Sequence, residues 1–260
     1  MTYVRPKKSL GQHFLNDHNI ARKIVAGLDL SLSKNILEIG PGTGVLSRYL
    51  LDIPDIDFRL IEVDSESVEY LQKNYSIAPE KLIYGDFLDI EVDKLFVENF
   101  SVIGNFPYNI SSQIFFKVLE HRNQISQVVC MIQKEVAERI AAPPGSKTYG
   151  ILSVLLQAFY NVQYLFTVNE NVFIPPPKVK SAVIRFERNS RTSLGCDEQL
   201  FFKTVKTAFN QRRKTLRNSL SSLYQKDKMT DAFFDKRPEQ LSVDDYVYIC
   251  NLMNNKLKEF

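Results

Sequence analysis

The tetrapeptide at 105–108, Asn-Phe-Pro-Tyr, combines residue types that suit chemistry on the amine of a nucleobase. The exocyclic amine of adenine or cytosine is a poor nucleophile because its lone pair is delocalised into the ring. The Asn105 side-chain carbonyl and a backbone carbonyl of Phe106 or Pro107 can each accept an amine hydrogen, which localises that lone pair. Pro107 stiffens the backbone and Tyr108 can stack on the base, so catalysis would rest on orientation and electrostatics. The base must leave its stack to enter such a site, and the plainer interpretation of 105–108 is an ordinary turn.

A glycine-rich loop offers a second candidate binding site. Segment 38–44, Glu-Ile-Gly-Pro-Gly-Thr-Gly, ends an apolar run and opens a helical pattern, and Gly40 and Gly42 let a ligand approach the backbone. The spacing departs from the GxGxxG pattern of dinucleotide sites, and Glu38 precedes the first glycine by two residues. An acidic pocket repels a pyrophosphate and attracts a cation such as a sulfonium. The pattern therefore favours S-adenosylmethionine (AdoMet) over a dinucleotide.

Further acids follow later apolar runs at positions that suit a nucleoside. Glu62 ends the next run, where a ribose-binding acid is expected. Asp86 and Phe87 follow the third run, so that a carboxylate can accept the adenine amine while an aromatic ring packs on the base. The alternative for Asp86 is a helix cap. No metal is predicted, because the histidines lack ligand spacing and acidic or thiol partners.

Apolar runs that alternate with amphipathic stretches must position these loops. Near-continuous apolar runs suit a parallel sheet that is covered on both faces. The order predicts an α/β fold, a doubly wound Rossmann-like sheet of the AdoMet-dependent methyltransferase type, with the loops at its carboxyl edge. The predicted strands are 35–39, 58–63, 81–84, 101–104 and 127–132, with a helix at 65–73.

The last third of the chain changes character. The loop at 142–150 is rich in Pro and Gly, a helix is predicted at 151–160, and a strand at 179–186 follows three prolines. Beyond about residue 190 the pattern is helical only. We therefore predict a methyltransferase domain at 1–190 and a small all-helical C-terminal domain at 191–260.

Composition narrows the class of protein. The chain has 260 residues, of which 44% are hydrophobic and 24% charged, which excludes collagen-like and mostly disordered proteins. The scattered cysteines argue against a disulfide scaffold or a zinc ribbon. The basic N-terminus has no apolar signal region and no apolar run is long enough to cross a bilayer. These features predict a cytoplasmic protein that does not associate with membranes.

Charge is unevenly distributed along the chain, although the net charge is only +3. Segment 34–101 holds 6 Lys or Arg and 14 Asp or Glu, whereas segment 203–217 holds 6 basic residues and no acid. This asymmetry predicts a polyanionic partner such as a nucleic acid. A solvated helix face explains the basic run equally well.

Nine segments in order resemble the KsgA-type small-subunit ribosomal RNA adenine dimethyltransferases. Together they cover about residues 7–220, and an ordered set of this size is highly specific. The segments are KKSLGQHFLND (7–17), ILEIGPGTG (36–44), IEVD (61–64), GDF (85–87), NFPYNIS (105–111), MIQKEVAERI (131–140), PGSKTYG (144–150), FIPPPKVKSAV (173–183) and FNQRRKTLRNSL (209–220).

The resemblance implies a function and a site. The family transfers methyl groups from AdoMet to the N6 amines of two adjacent adenines in the 3′-terminal hairpin loop of small-subunit rRNA, and it takes part in small-subunit assembly as a monomer. The implied catalytic residues are Asn105, Pro107 and Tyr108, of which Asn105 would touch both the cofactor and the target amine. The predicted cofactor-binding residues are Gln12, His13, Leu15, Glu38, Gly40, Gly42, Glu62, Asp86, Phe87 and Asn105. The residue patterns above give Glu38 and Phe87, and the resemblance implies the others.

The resemblance also implies RNA contacts. Arg212, Arg213 and Lys214 of the C-terminal helices would grip rRNA. Phe173 is a candidate second stacking wall, with Lys178 close by in sequence, although core packing is an equal explanation for Phe173. His13 stands where many relatives have Asn, and we interpret it as a polar cover of the cofactor without a proton role.

Two other functions compete with this prediction. Large-subunit rRNA adenine methyltransferases share the fold and the Asn-x-Pro-Tyr pattern, but the segments at 144–150, 175–178 and 211–218 argue against them. A non-catalytic rRNA-binding assembly factor is the second, and the intact set of candidate catalytic and cofactor-binding residues argues against it.

Overall fold

The structure, a computed structural model, describes residues 4–257. The strands are β1 (Phe14–Leu15), β2 (Asn35–Ile39), β3 (Asp57–Glu62), β4 (Leu82–Tyr84), β5 (Phe100–Asn105), β6 (Ile125–Gln133), β7 (Tyr160–Val168), β8 (Phe173–Ile174) and β9 (Ser181–Arg188). The helices are α1 (His18–Val25), α2 (Ser47–Leu50), α3 (Ser65–Asn74), α4 (Ser111–Glu120), α5 (Lys134–Ala141), α6 (Ile151–Gln157), α7 (Glu198–Asn210), α8 (Leu216–Ser219) and α9 (Val243–Leu257).

The central sheet has the predicted parallel arrangement. Within the described range it holds seven strands in the order β4-β3-β2-β5-β6-β9-β7. The strands from β2 to β6 pair in parallel, and β9 pairs antiparallel to β6. Because parallel strands point the same way, the residues that follow β2, β3, β4 and β5 meet at one edge of the sheet.

The apolar runs of the sequence form the buried centre of this sheet. Ile36 and Leu37 of β2 have no exposed surface, and the same is true of Val102 and Ile103 of β5. Helices on both faces cover a sheet whose strands are apolar on both sides, which is why these strands do not alternate. The predicted strand bounds lie within two residues of those observed.

One predicted helix ends early, and the strands β1, β7 and β8 were not predicted. The helix predicted at 151–160 ends at Gln157, and Tyr160 instead begins β7, a strand that we did not predict. β7 lies at the edge of the sheet, and polar, exposed Asn161 and Thr167 interrupt its apolar residues. These exposed positions mean that β7 lacks the continuous apolar run by which the inner strands were predicted.

The described residues form two compact units, 4–137 with 161–188 and 138–160 with 189–257. The predicted domains instead assigned 138–160 to the first domain. Those residues belong to the second unit because α6 packs against α7 and α9. Phe201, Val205 and Tyr246 are fully buried in that unit, which is helical as predicted. No helix in the stretch from 4 to 257 is long and apolar enough to cross a membrane.

Gly104→Ala is expected to destabilise the first unit. A Cβ at Gly104 would lie 2.5 Å from the Ile39 carbonyl oxygen, which belongs to the neighbouring strand and cannot move without breaking the sheet. We expect the free energy of unfolding to fall by about 1–3 kcal/mol, as in other overpacked sites. Urea unfolding would measure the change.

Gly85→Ala is the matched control, because its Cβ would come no closer than 3.8 Å to another atom. Equal stability of the two variants would contradict the packing argument.

Candidate active site

The carboxyl ends of the parallel strands wall a cavity, here called the inner cavity. Gly40 follows β2, Glu62 ends β3, Asp86 follows β4 and Asn105 ends β5, and all four line it. Eight of the predicted cofactor-binding residues therefore converge, although they are far apart in sequence. They are Gln12, His13, Gly40, Gly42, Glu62, Asp86, Phe87 and Asn105.

Residues 7–14 are here called the strap, and its residues 10–14 line the inner cavity. Phe14 lies directly on the glycine loop. A Cβ at Gly42 would sit 2.8 Å from the Phe14 ring, and the φ of Gly42 is +56°, so both space and backbone geometry require glycine there. A Cβ at Gly40, by contrast, would meet nothing within 4 Å. The loop therefore contacts the strap at Gly42 and leaves room beside Gly40.

Asp64 fastens the strap to the end of β3. Its side chain is buried and accepts hydrogen bonds from Lys7 Nζ at 2.5 Å and from Gln12 Nε2 at 3.2 Å. Burial would raise the pKa of the Asp64 carboxyl, but the bonds from Lys7, Gln12 and Ser67 outweigh it and hold the pKa below its ordinary value. The strap is thus held by a charged group at the edge of the cavity.

Glu62 keeps its position through two backbone donors. The Gly42 N–H donates to Oε2 and the Asp64 N–H donates to Oε1, each at 2.9 Å. Burial raises the pKa of Glu62, and these hydrogen bonds oppose the shift. Each carboxylate oxygen has a second lone pair, so Glu62 can still accept hydrogen bonds from a ligand in the inner cavity.

Glu38 lies below the glycine loop and does not line the inner cavity. It is 1% exposed, and Ser47 Oγ donates to its Oε2 at 2.6 Å. Burial raises its pKa to about 8, and the nearby Glu62 charge adds to the shift. The position of Glu38 therefore does not match the prediction that it attracts a cationic ligand, because its side chain is buried and bonded to Ser47 of α2.

Asp86 both caps a turn and faces the inner cavity. Its Oδ1 accepts a hydrogen bond from the Leu88 N–H at 2.8 Å, which matches the alternative prediction of a cap. The same carboxylate also lines the inner cavity. Lys117 holds the same turn by donating to the carbonyls of Leu88 and Ile90 at 2.8 and 2.7 Å. Burial lowers the pKa of Lys117, whose Nζ lies 5.3 Å from the Phe87 ring centre.

The Asn105 side chain has a defined orientation. Its Nδ2 donates to the His13 backbone carbonyl at 2.9 Å. A carbonyl can only accept, so the amide nitrogen must face His13 and the amide oxygen faces elsewhere. Asn105 Oδ1 is thus available as an acceptor at the wall of the inner cavity.

Tyr108 separates the inner cavity from a second depression, here called the outer cleft. Tyr108 and His13 line both, and their rings stack with centroids 5.6 Å apart. The Tyr108 hydroxyl shares a 2.6 Å hydrogen bond with Ser181 Oγ, and His13 Nδ1 lies 2.7 Å from the Pro175 carbonyl oxygen. Lys178 is exposed at the rim of the outer cleft. The contacts with Ser181 and Pro175 therefore hold the two rings in position.

Two predicted site residues lie in the core instead. Leu15 and Phe173 pair between β1 and β8 and are 4% and 2% exposed. Successive strand residues face opposite ways, so Phe14 lines the inner cavity and Ile174 lines the outer cleft in their places. The prediction that Phe173 forms a second stacking wall was therefore wrong. Its side chain packs in the core, which was the alternative.

One predicted RNA-binding residue, Arg212, is bonded to other groups of the second unit. Arg212 donates to the backbone carbonyls of Ser146 and Lys147, and its Nε lies 3.8 Å from Glu239 Oε2. It fastens the loop at 142–150 to the C-terminal segment. Arg213 and Lys214, the neighbouring basic residues, are exposed.

Several contributors were missed by the sequence analysis. Phe14, Asp64, Lys117 and Ser181 make contacts that only the tertiary structure reveals. Asp64 alone left a local signal, because it follows Glu62 by two residues in the IEVD segment. Among residues 4–257, no group of His, Cys, Asp or Glu is arranged to hold a metal ion.

Together, the parallel sheet, the glycine loop and the carboxylates at its edge define a Rossmann-like methyltransferase of the AdoMet-dependent class. A family model described as "Ribosomal RNA adenine dimethylase" matches residues 4–255. The chain belongs to the ribosomal RNA adenine dimethylase family, which confirms the predicted family and enzyme class.

Individual relatives agree with this assignment. The chain is 57% identical over 261 residues to the ribosomal RNA small subunit methyltransferase A of Parabacteroides distasonis, covering 100% of this chain and 98% of that one. It is 58% identical over 251 residues to the protein of the same name from Flavobacterium johnsoniae, covering 96% of each. The crystal structure of a dimethyladenosine transferase from Plasmodium falciparum matches with a TM-score of 0.77 at 26% identity, covering 94% of this chain and 98% of that one.

Glu38→Gln is expected to flatten the dependence of stability on pH. Glu38 has a pKa of about 8 in the folded state against an ordinary value of 4.5, so the folded state binds its proton more tightly. The stability that this proton contributes is complete below 4.5 and is lost as the pH rises towards 8. Glutamine resembles the protonated acid, so E38Q should gain stability relative to wild type over that window.

Urea unfolding at several values between about pH 5 and pH 9 would measure this effect. Exposed Glu80→Gln is the control, and it should track wild type. Parallel curves for E38Q and wild type would contradict the buried-proton argument.

The latch between Lys7 and Asp64 is expected to control cofactor affinity. Lys7→Met or Asp64→Asn releases the strap that walls the inner cavity. Each should weaken binding of S-adenosylhomocysteine about tenfold, the effect of losing one charge-assisted hydrogen bond. In the double variant the two losses should be less than additive, because Lys7→Met and Asp64→Asn both remove the Lys7–Asp64 bond.

Titration calorimetry would measure these affinities. Lys8→Met is the control, because it removes the neighbouring charge, which is exposed and forms no bond with Asp64. Wild-type affinity in K7M would show that the latch does not hold the strap in place.

Proposed function

We propose that the protein dimethylates the N6 amines of two adjacent adenines in the 3′-terminal hairpin loop of small-subunit rRNA, with AdoMet as methyl donor. The membership of the chain in the rRNA adenine dimethylase family supports the reaction class. The names of its bacterial relatives support the small subunit as the source of the substrate. The immature small subunit is the proposed partner.

The orientation of the Asn105 amide carries this proposal. Because Nδ2 is committed to the His13 carbonyl, Oδ1 is left to accept a hydrogen from an incoming amine. Accepting that hydrogen draws the amine nitrogen towards tetrahedral geometry and localises its lone pair. Asn105 contributes by placement and polarity rather than by taking a proton, which is electrostatic preorganisation.

The inner cavity fits an adenosyl cofactor. Glu62 offers carboxylate oxygens for ribose hydroxyls, Asp86 offers an acceptor for an adenine amine, and Phe87 and Ile61 supply apolar surface. The open space beside Gly40 leaves the glycine loop accessible to a ligand. When bound, AdoMet supplies an electrophilic methyl group on a sulfonium.

Tyr108 is placed to hold the target base. Its ring faces both the inner cavity and the outer cleft, so a base entering from the cleft meets an aromatic surface beside Asn105. Burial raises the pKa of the phenol, and its hydroxyl is already bonded to Ser181. Tyr108 therefore stacks and orients the base and does not remove its proton.

The substrate can be identified directly. The protein would be incubated with labelled AdoMet and with small or large ribosomal subunits that lack adenine dimethylation, and the nucleosides would be analysed by mass spectrometry. Dimethyladenosine in the small subunit alone is expected. Label in the large subunit would favour the alternative substrate, and binding to partly assembled particles without transfer would favour a non-catalytic assembly factor.

Asn105→Ala is expected to lower the rate of methyl transfer about 10²–10³-fold, as for the loss of one preorganised polar group. Affinity for rRNA should stay near that of wild type, because stacking on Tyr108 and phosphate contacts remain. Single-turnover transfer to undermethylated small subunits would measure the rate.

Asn74→Ala is the matched control, since Asn74 is exposed at the end of α3 and bonds only to the Tyr70 carbonyl. A wild-type rate in N105A would remove Asn105 from the mechanism.

A further inference from the structure

A basic and aromatic patch lies on α1, α2 and β7 of the first unit. Its cations are exposed, although segment 34–101, which includes α2, is strongly acidic overall. We call it the α1–α2 patch, and it consists of His18, Arg22, Lys23, Arg48, Tyr49 and Phe166.

The patch is organised around one aromatic ring. The guanidinium carbons of Arg22 and Arg48 lie 5.6 and 5.7 Å from the centre of the Tyr49 ring. His18 contacts the same group, with its Nε2 3.4 Å from Arg48 Nη1 and its ring edge-on to Tyr49. Both guanidinium groups thus lie within cation–π distance of one ring.

No carboxylate compensates these cations in the part of the chain that the structure describes. Arg22, Lys23 and Arg48 form no ion pair there, and their polar contacts are with Asn19 and His18. Of the nearby acids, Asp17 accepts the backbone N–H groups that begin α1, and exposed Asp52 lies one turn beyond Arg48.

Other lysines on the same unit behave differently. Lys73 pairs with Glu69 at 3.5 Å and Lys94 pairs with Glu91 at 2.5 Å. The cations of the α1–α2 patch therefore differ from these two lysines in having no carboxylate partner among the described residues.

We propose that the α1–α2 patch binds phosphates of small-subunit rRNA beside the methylation site. This inference rests on the proposed function and adds an RNA surface outside the inner cavity, the outer cleft and the C-terminal basic run. Guanidinium groups that lie against an aromatic ring keep N–H edges free, and those edges match phosphate oxygens.

The position of the patch favours RNA over an acidic protein. His18 begins α1 directly after the strap and β1, and Arg48 follows Gly44 of the glycine loop by one helical turn. Both elements leave the walls of the inner cavity. The rRNA that is proposed to deliver a base to Asn105 is therefore the polyanion that we assign to these cations.

The test is the double variant Arg22→Gln, Arg48→Gln. Its affinity for an rRNA fragment that contains the 3′-terminal hairpin should fall about 5- to 20-fold at moderate salt. The slope of log affinity against log salt should decrease by about 1.4–1.8, since each lost phosphate contact removes roughly 0.7–0.9. S-adenosylhomocysteine affinity and the rate at saturating RNA should not change, because neither residue lines the inner cavity.

Lys73→Gln, Lys94→Gln is the matched control. It removes the same charge from the same unit, but from lysines that already have carboxylate partners. If both double variants lost the same rRNA affinity, the loss would be a non-specific effect of net charge, and the proposal would be overturned. Tyr49→Leu, which removes the ring and keeps both charges, should give an intermediate loss.

The outcomes separate this inference from the proposed function. If R22Q/R48Q methylated like wild type and kept its RNA affinity, rRNA binding by the α1–α2 patch would be overturned, and the proposed methylation would be unaffected. A loss of affinity for the assembled small subunit without a loss for naked rRNA would assign the patch to a protein partner instead. Failure of the wild-type protein to methylate either subunit would instead count against the proposed function.

Discussion

The hydrogen bond from the Asn105 side-chain amide to the His13 carbonyl joins the end of the central sheet to the strap. It fixes which face of the amide is available for a substrate, and it holds the strap where Phe14 covers the glycine loop. The same strap residue carries the ring that stacks on Tyr108. The inner cavity and the outer cleft therefore share one wall, and a shift of the strap would disturb both.

Three acids at this edge are each stabilised in a different way. Glu62 receives two backbone N–H bonds, Asp64 receives a lysine and a glutamine, and Glu38 holds a proton up to a pH of about 8. Burying three unpaired carboxylates so close together would be very costly. Their different partners allow a concentrated acidic edge to exist beneath a cavity that is proposed to take a positively charged cofactor.

Basic residues show the same dependence on surroundings. Arg212 holds a loop within the second unit, whereas its neighbours Arg213 and Lys214 are exposed. Arg22 and Arg48 share an aromatic ring on the first unit and lack carboxylate partners among the described residues. Charge along the chain predicts a polyanionic partner, but only the contacts of each side chain distinguish the cations that are bonded within the protein from those that have no carboxylate partner.

The sequence by itself determined the parallel sheet, the family and most of the converging site residues. Continuous apolar runs require burial on both faces, and the glycines, Glu62 and Asn105 stand where strands end, so topology alone brings them together. Tertiary structure decided which way each side chain points. In the tertiary structure Leu15 and Phe173 face the core, whereas their neighbours Phe14 and Ile174 line the cavities. Glu38 is buried, and Arg212 is bonded to groups within the second unit. Those outcomes depend on strand register and on long-range partners, and neither is visible in local sequence.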